Sequence, residues 1–141
     1  MKTIGEEFAD AARGFAGSPF RLGGRDPRYG IDCVGLVVCS LWEIGCNASY
    51  PSGYRIRNSS IGQHLGLAEA NGFQLAGTTE VAGDLILFAP GMGHHHLAIS
   101  SGDGRHIHAH AGLRRTVITA VPADWPKLRH WRLTRTRKDL E

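Results

Sequence analysis

The chain has 141 residues, 42% of them hydrophobic and 21% charged, which excludes a disordered or low-complexity chain and fits one domain spanning residues 1–141. No apolar stretch reaches the roughly 18 residues that a membrane span requires. The net charge is only +3, and six of the 16 Lys and Arg residues (Lys127, Arg129, Arg132, Arg135, Arg137 and Lys138) follow Pro126, a solvated basic face rather than a nucleic-acid surface.

In chain order, Thr3-Ile4-Gly5-Glu6 fits a helix-starting capping box. Ile4, Phe8, Ala11, Ala12 and Phe15 then follow a helical stripe, ended by Gly14 and Gly17-Ser18-Pro19. Glu6 and Glu7 fall where a secretion signal would be apolar, so the expectation is a chain made in the cytoplasm without a signal peptide. Residues 17–30 form a loop rich in Gly, Pro and Arg. Asp32 is a good N-cap, which makes Cys33 the first residue of a helix over roughly 33–45. Val34, Val37, Val38 and Leu41, with Trp42 and Ile44, are apolar around most of its circumference, as in a central helix packed on several sides.

Residues 46–82 carry weaker signals: a turn at Tyr50-Pro51-Ser52-Gly53 and a short helix from Ser60 to Ala70. From Gly83 the pattern changes to strands, at Leu85–Phe88, His96–Ser100, Arg105–His110, Thr116–Val121 and Arg129–Thr134. Helices followed by strands in series predict an α+β domain with an antiparallel sheet of about five strands.

A thiol at a helix N-terminus faces unpaired backbone N–H groups and the positive end of the helix dipole, and both favour thiolate. By position alone, Cys33 reads equally well as a nucleophile or as a buried packing thiol. Cys39 and Cys46 lie on or just after the helix and read as packing residues. With three cysteines and no C-x-x-C pair, reduced thiols are expected rather than a disulfide framework or a zinc knuckle.

A nucleophilic cysteine needs a base and a group that orients the base. Of His94, His95 and His96, only His96 begins an apolar alternation, so it is held by the sheet, whereas His94 and His95 belong to the preceding loop on the solvent or substrate side. His106, His108 and His110 share one face of the next strand, and their spacing leaves all three open as the orienting group. Three consecutive histidines point in different directions, which argues against one metal site among the seven histidines between 64 and 110.

Five segments stand together in a recognisable order: Gly17-Ser18-Pro19-Phe20-Arg21-Leu22-Gly23-Gly24, Asp32-Cys33-Val34-Gly35-Leu36, Gly83-Asp84-Leu85-Ile86-Leu87-Phe88, His96-Leu97-Ala98-Ile99 and Ile107-His108-Ala109. Across residues 17 to about 121 the chain resembles the NlpC-type cysteine peptidases, most nearly the short cell-wall peptidases of phage tail and gene-transfer-agent modules. The resemblance implies a papain-like α+β fold that cleaves amide bonds in peptidoglycan stem peptides with no metal or cofactor. It implies Cys33 as nucleophile, His96 as base, His108 as orienting residue and the backbone N–H of Cys33 as an oxyanion donor. Phe20, Arg21, Asp32, Val34 and His95 would meet substrate, in partnership with a cell wall and with tail-like assembly proteins, the protein acting at the wall or as a virion component.

Two departures stand out. Phe20 and Val34 occupy positions where the family often has Tyr and Ser, which makes the expected groove more apolar. An amidase or acyltransferase of the same fold, and a non-catalytic wall-binding tail component, are the rival readings.

The triad also carries a geometric requirement. Opposed residues of antiparallel strands share a face. A two-residue turn at Gly102-Asp103 would set His96 and His108 on opposite faces. The catalytic reading therefore requires an odd-length loop there, or a bulge.

Overall fold

A computed structural model describes residues 1–49, 61–77 and 79–134, with the backbone alone at 61–63. Helix α1 spans Ile4–Arg13. Its N-cap Thr3 accepts a hydrogen bond from the Glu6 N–H at 3.0 Å, satisfying one of the free donors of the first turn. Phe8, Ala9 and Ala12 form its buried stripe.

Helix α2 spans Cys33–Glu43 and runs through the core. Val34, Leu36, Val37, Val38 and Leu41 are all buried, as expected of a helix apolar on nearly every side. Ser40, also buried, donates to the Leu36 carbonyl at 2.7 Å, so its hydroxyl costs the core little. The helix stops two residues before the left-handed Gly45, slightly earlier than the apolar pattern suggests. Helix α3 spans Ile61–Ala70. Ser60 and the turn at Tyr50–Gly53 lie outside the described residues.

The strands are β1 (Arg25–Asp26), β2 (Gly30–Ile31), β3 (Phe73–Leu75), β4 (Leu85–Gly91), β5 (His94–Ser100), β6 (His106–His110), β7 (Arg115–Thr119) and β8 (Lys127–Leu133). Among the described residues the main sheet has six strands in the order β3-β8-β4-β5-β6-β7, each antiparallel to its neighbours. The expected antiparallel sheet of about five strands is thus present, with one strand more. The added edge strand β3 is three residues long and buries only Phe73, too little to register as an alternation. The segment 17–30 is also more than a loop, because β1 and β2 pair there as a small hairpin.

Alternation along the strands divides the core. Leu85, Leu87, Leu97, Ile99, Ile107, Trp131 and Leu133 pack with α1 and α2. Ile86, Phe88 and Ala98 form a smaller cluster with Val121 and Trp125. The buried carboxylate of Asp84 accepts from His130 Nε2 at 2.6 Å and from Arg132 Nε at 2.9 Å, tying the start of β4 to β8. Burial works to raise the Asp84 pKa, but the bonds from Arg132, the Val81 N–H and His130 outweigh it and hold it below the ordinary value.

Two backbone features position the site. Ile99 pairs with Ile107 and Ser100 with His106, and the Ser101 N–H donates to the Arg105 carbonyl at 3.0 Å. That leaves a three-residue loop, Gly102–Gly104, with φ of +87° at both glycines, a conformation that side chains disfavour. The second feature is a close approach. A Cβ on Gly35 would fall 2.2 Å from the Gly24 carbonyl oxygen, and one on Gly24 would fall 2.1 Å from that of Gly30. The loop therefore rests directly on the first turn of α2.

Candidate active site

Cys33 is the first residue of α2, and Asp32 fixes that start with one carboxylate. Oδ1 accepts from the Gly35 N–H at 2.8 Å, and Oδ2 accepts from the Gly23 N–H at 2.8 Å. Burial pushes the Asp32 pKa up, against the pull of those backbone donors. Cys33 and His96, from β5, both line a cavity of about 410 Å³. Phe20, the Pro90-Gly91 corner, His94, His95, the Ala109–Gly112 segment and Trp125 complete its wall.

The His96 ring is turned onto its sheet neighbour. His96 Nε2 lies 2.8 Å from His108 Nδ1, with the ring planes at 82°. The three-residue loop allows this. Continuing the observed register sets His96 opposite His110 and diagonal to His108, all on one face. His108 in turn has Nε2 2.8 Å from Thr119 Oγ1 on β7. Thr119 opposes His106 and so also shares this face.

Burial, and secondarily the imidazole of His108, pushes His96 down to about 3. Burial, with His110 and then His106, pushes His108 down to about 4. Both rings are therefore neutral near pH 7, and His96 can receive a proton. Trp125 meets the His96 ring at 77° with centroids 5.6 Å apart, covering one side of it.

The expected substrate residues are distributed unevenly. Phe20 and His95 line the cavity. His95 stands 5.8 Å from the buried ring of His64 on α3, and burial lowers the His64 pKa to about 4. Arg21, Asp32 and Val34 are not among the lining residues. Arg21 is exposed and bonds through its backbone N–H to the Ile31 carbonyl. Asp32 spends its carboxylate on two backbone donors. The expected place of Val34 in the groove is corrected: one residue beyond Cys33 the helix has turned by about 100°, which carries Val34 into the core.

The other histidines also have definite places. His94 lies in β5 rather than in a loop, because Gly91 pairs with it and extends the β4–β5 ladder. His110 Nδ1 accepts from the Leu113 N–H at 3.0 Å. His106 Nε2 bonds Glu80 Oε1 at 2.8 Å, and Lys127 holds the other oxygen of that carboxylate. Of the basic tail, Arg132 is engaged with Asp84, while Arg135, Arg137 and Lys138 lie outside the described residues. Among the described residues no group of three or more His, Cys, Asp or Glu has the arrangement of a metal site.

Two cavity or string residues escape sequence reasoning. Trp125 sits in a connection without periodicity. Thr119 is identifiable only once the β6–β7 register is known, because a threonine in a strand carries no signal of its own.

The model of the NlpC/P60 family matches residues 17–132. Protein P54 of Enterococcus faecium is 30% identical over 95 residues, which are 67% of this chain and 16% of that protein. The chain thus spans about a sixth of the curated relative it matches. Among solved structures, NlpC2 from Trichomonas vaginalis aligns with a TM-score of 0.69 at 18% identity, over 94% of this chain and 48% of that one. At that identity the likeness speaks for the fold alone. The NlpC/p60 domain of the peptidoglycan hydrolase SagA aligns with a TM-score of 0.57 at 25% identity, over 84% of this chain and 90% of that one. A central helix capped by Asp32 and led by Cys33, a six-stranded antiparallel sheet and a match covering most of the chain agree: this protein belongs to the NlpC/P60 family, with its α+β papain-like fold.

Proposed function

We propose that the protein is a cysteine peptidase that cleaves an amide bond in peptidoglycan stem peptides, with residues 1–141 as one catalytic domain. The observation that carries this reading is a single cavity lined by the helix-leading Cys33 and by His96, whose other face is bonded to His108. His96 spends Nε2 on His108, which leaves Nδ1 as the nitrogen available to the thiol. As Cys33 sulfur attacks the scissile carbonyl, its proton passes to His96. The Cys33 backbone N–H, at the first helical position and the positive end of the helix dipole, is the donor offered to the developing oxyanion. The carbon–nitrogen bond breaks as His96 returns the proton to the leaving amine, giving a thioester. Water, deprotonated by His96, then releases the acid and regenerates the thiol.

Phe20 and His95 are the substrate-facing members of the expected set, and Asp32 acts through the helix start. NlpC/P60 proteins are generally cell-wall peptidoglycan hydrolases, which supports the substrate class. The narrower placement, with the phage tail and gene-transfer-agent wall peptidases, draws its support from the order of sequence motifs.

The test is digestion of purified peptidoglycan with mass analysis of the fragments. The wild type releases stem-peptide fragments with new amine and carboxyl ends, and Cys33→Ala releases none while keeping its melting temperature. Cleavage by Cys33→Ala would sink the proposal. A product carrying the acyl group on an added amine would identify an acyltransferase instead.

A further inference from the structure

We infer that Thr119 is a positioning residue that holds the His108 ring, and through it His96, in the arrangement that a base at Cys33 requires. This deepens the proposed function and rests on it.

Three groups form a string across three strands: His96 on β5, His108 on β6 and Thr119 on β7. Both links are 2.8 Å. Each ring nitrogen that joins the string either donates or accepts, and one choice fixes the next. For His96 to take the thiol proton at Nδ1, its own ring proton must be on Nε2, where it donates to His108 Nδ1. His108 Nδ1 is then bare, so its proton is on Nε2 and must be accepted by Thr119 Oγ1. When His96 becomes an imidazolium its Nε2–H remains, and the same direction of donation is required throughout the turnover.

The opposite direction disables the base. If His108 carried its proton on Nδ1, it would donate to His96 Nε2, and His96 would hold its proton on Nδ1, facing the thiol. His108 is only 2% exposed, so bulk solvent does not replace a lost partner at Nε2. Without the Thr119 hydroxyl, the productive direction would leave a buried N–H unbonded. The hydroxyl also orients the ring: rotating His108 by half a turn about its Cβ–Cγ bond would withdraw Nδ1 from His96 and Nε2 from Thr119 together.

Sequence position explains why β7 supplies this group. His106 opposes Thr119 and His108 opposes Val117, so Thr119 reaches His108 diagonally on the shared face. The connection from His110 to Arg115, closed by Arg114 in a left-handed conformation (φ 60°), sets that register.

The experiment uses the full chain with Thr119→Val, which keeps the shape and strand preference and removes the acceptor, and with Thr119→Ser, which restores it. We expect kcat on peptidoglycan fragments to fall about tenfold in Thr119→Val with KM unchanged, and to return within about twofold in Thr119→Ser. In parallel, long-range ¹H–¹⁵N spectra read the ring tautomers, with His108 assigned by its absence in His108→Ala. The wild type should show the Nε2–H form at His108, and Thr119→Val should lose it. An unchanged kcat or an unchanged tautomer in Thr119→Val overturns the inference, as does a failure of Thr119→Ser to restore them. The tautomer measurement requires no turnover, so it judges Thr119 even if activity in Cys33→Ala removes the peptidase reading.

Discussion

His106 and His108 lie two residues apart on β6, on the same face, and both are more than nine-tenths buried. Their partners differ. His106 bonds the Glu80 carboxylate, which Lys127 also grips, and burial's push on Glu80 is outweighed by Lys127 and His106 so that its pKa lies below the ordinary value. A carboxylate only accepts, so His106 Nε2 is locked as a donor and serves as a latch between the 79–80 segment and the sheet. His108 stands instead between a second imidazole and a hydroxyl, each able to donate or accept. Burial and spacing are nearly equal at the two positions. What distinguishes them is whether the partner can change its protonation or its bond direction.

The sharpest way to break this comparison is to truncate each histidine. His108→Ala should lower kcat about a hundredfold, because the base loses its orientation. His106→Ala should leave kcat within about twofold and cost about 2 kcal/mol of stability, from a cavity and a weakened Glu80 anchor. Parallel peptidoglycan digestion and urea denaturation read both. Equal losses of kcat would show that the two histidines belong to one machine.

Acid should strike the two regions in order. Burial holds His64, His96 and His108 at about 4, 3 and 4, below the ordinary 6.5. The unfolded chain takes up these protons near pH 6.5 and the folded protein only near pH 4 or below. Stability from this source is therefore full above pH 6.5 and falls as pH drops from 6.5 toward 4. Glu80 and Asp84, depressed from ordinary values of 4.5 and 3.8, contribute stability above those values and lose it as pH falls through their lower folded pKa values. Melting temperature followed from pH 7.5 to 3 should fall in two stages. A flat profile between pH 7 and 5 would contradict the buried neutral rings.

The smallest effect concerns the other threonine of β7. Thr116 is buried on the opposite face, and its hydroxyl has no hydrogen-bond partner among the described residues. Thr116→Val should leave activity alone and stabilise by about 1 kcal/mol or less. The same substitution would thus affect kcat at 119 and only stability at 116, which calorimetry and turnover assays together resolve.

Much of this was legible in the sequence because the strongest signals are local. An N-cap before an apolar run placed Cys33 at the head of α2, and alternation placed His96 in the sheet. Parity required an odd loop between β5 and β6, or a bulge. The rest depends on contacts between distant segments. The hairpin of β1 and β2 and the edge strand β3 are too short to show a period. Val34 follows the nucleophile in sequence yet turns into the core. Thr119 enters the string only through the pairing of β7 with β6, which spacing along one strand does not fix.

The Gly102–Gly104 loop bears on how such a protein can change over generations. Its length aims His108 at His96, and the same count buries Ile107, which is 0% exposed in the core beneath. Inserting or deleting one residue there would turn His108 away from His96 and turn Ile107 out of the core cluster it packs in, in a single event. A descendant with misdirected chemistry would then also be one that folds poorly. The alignment of the two rings is thereby sheltered by the demand for a stable core, even in periods when cleavage itself is not under selection.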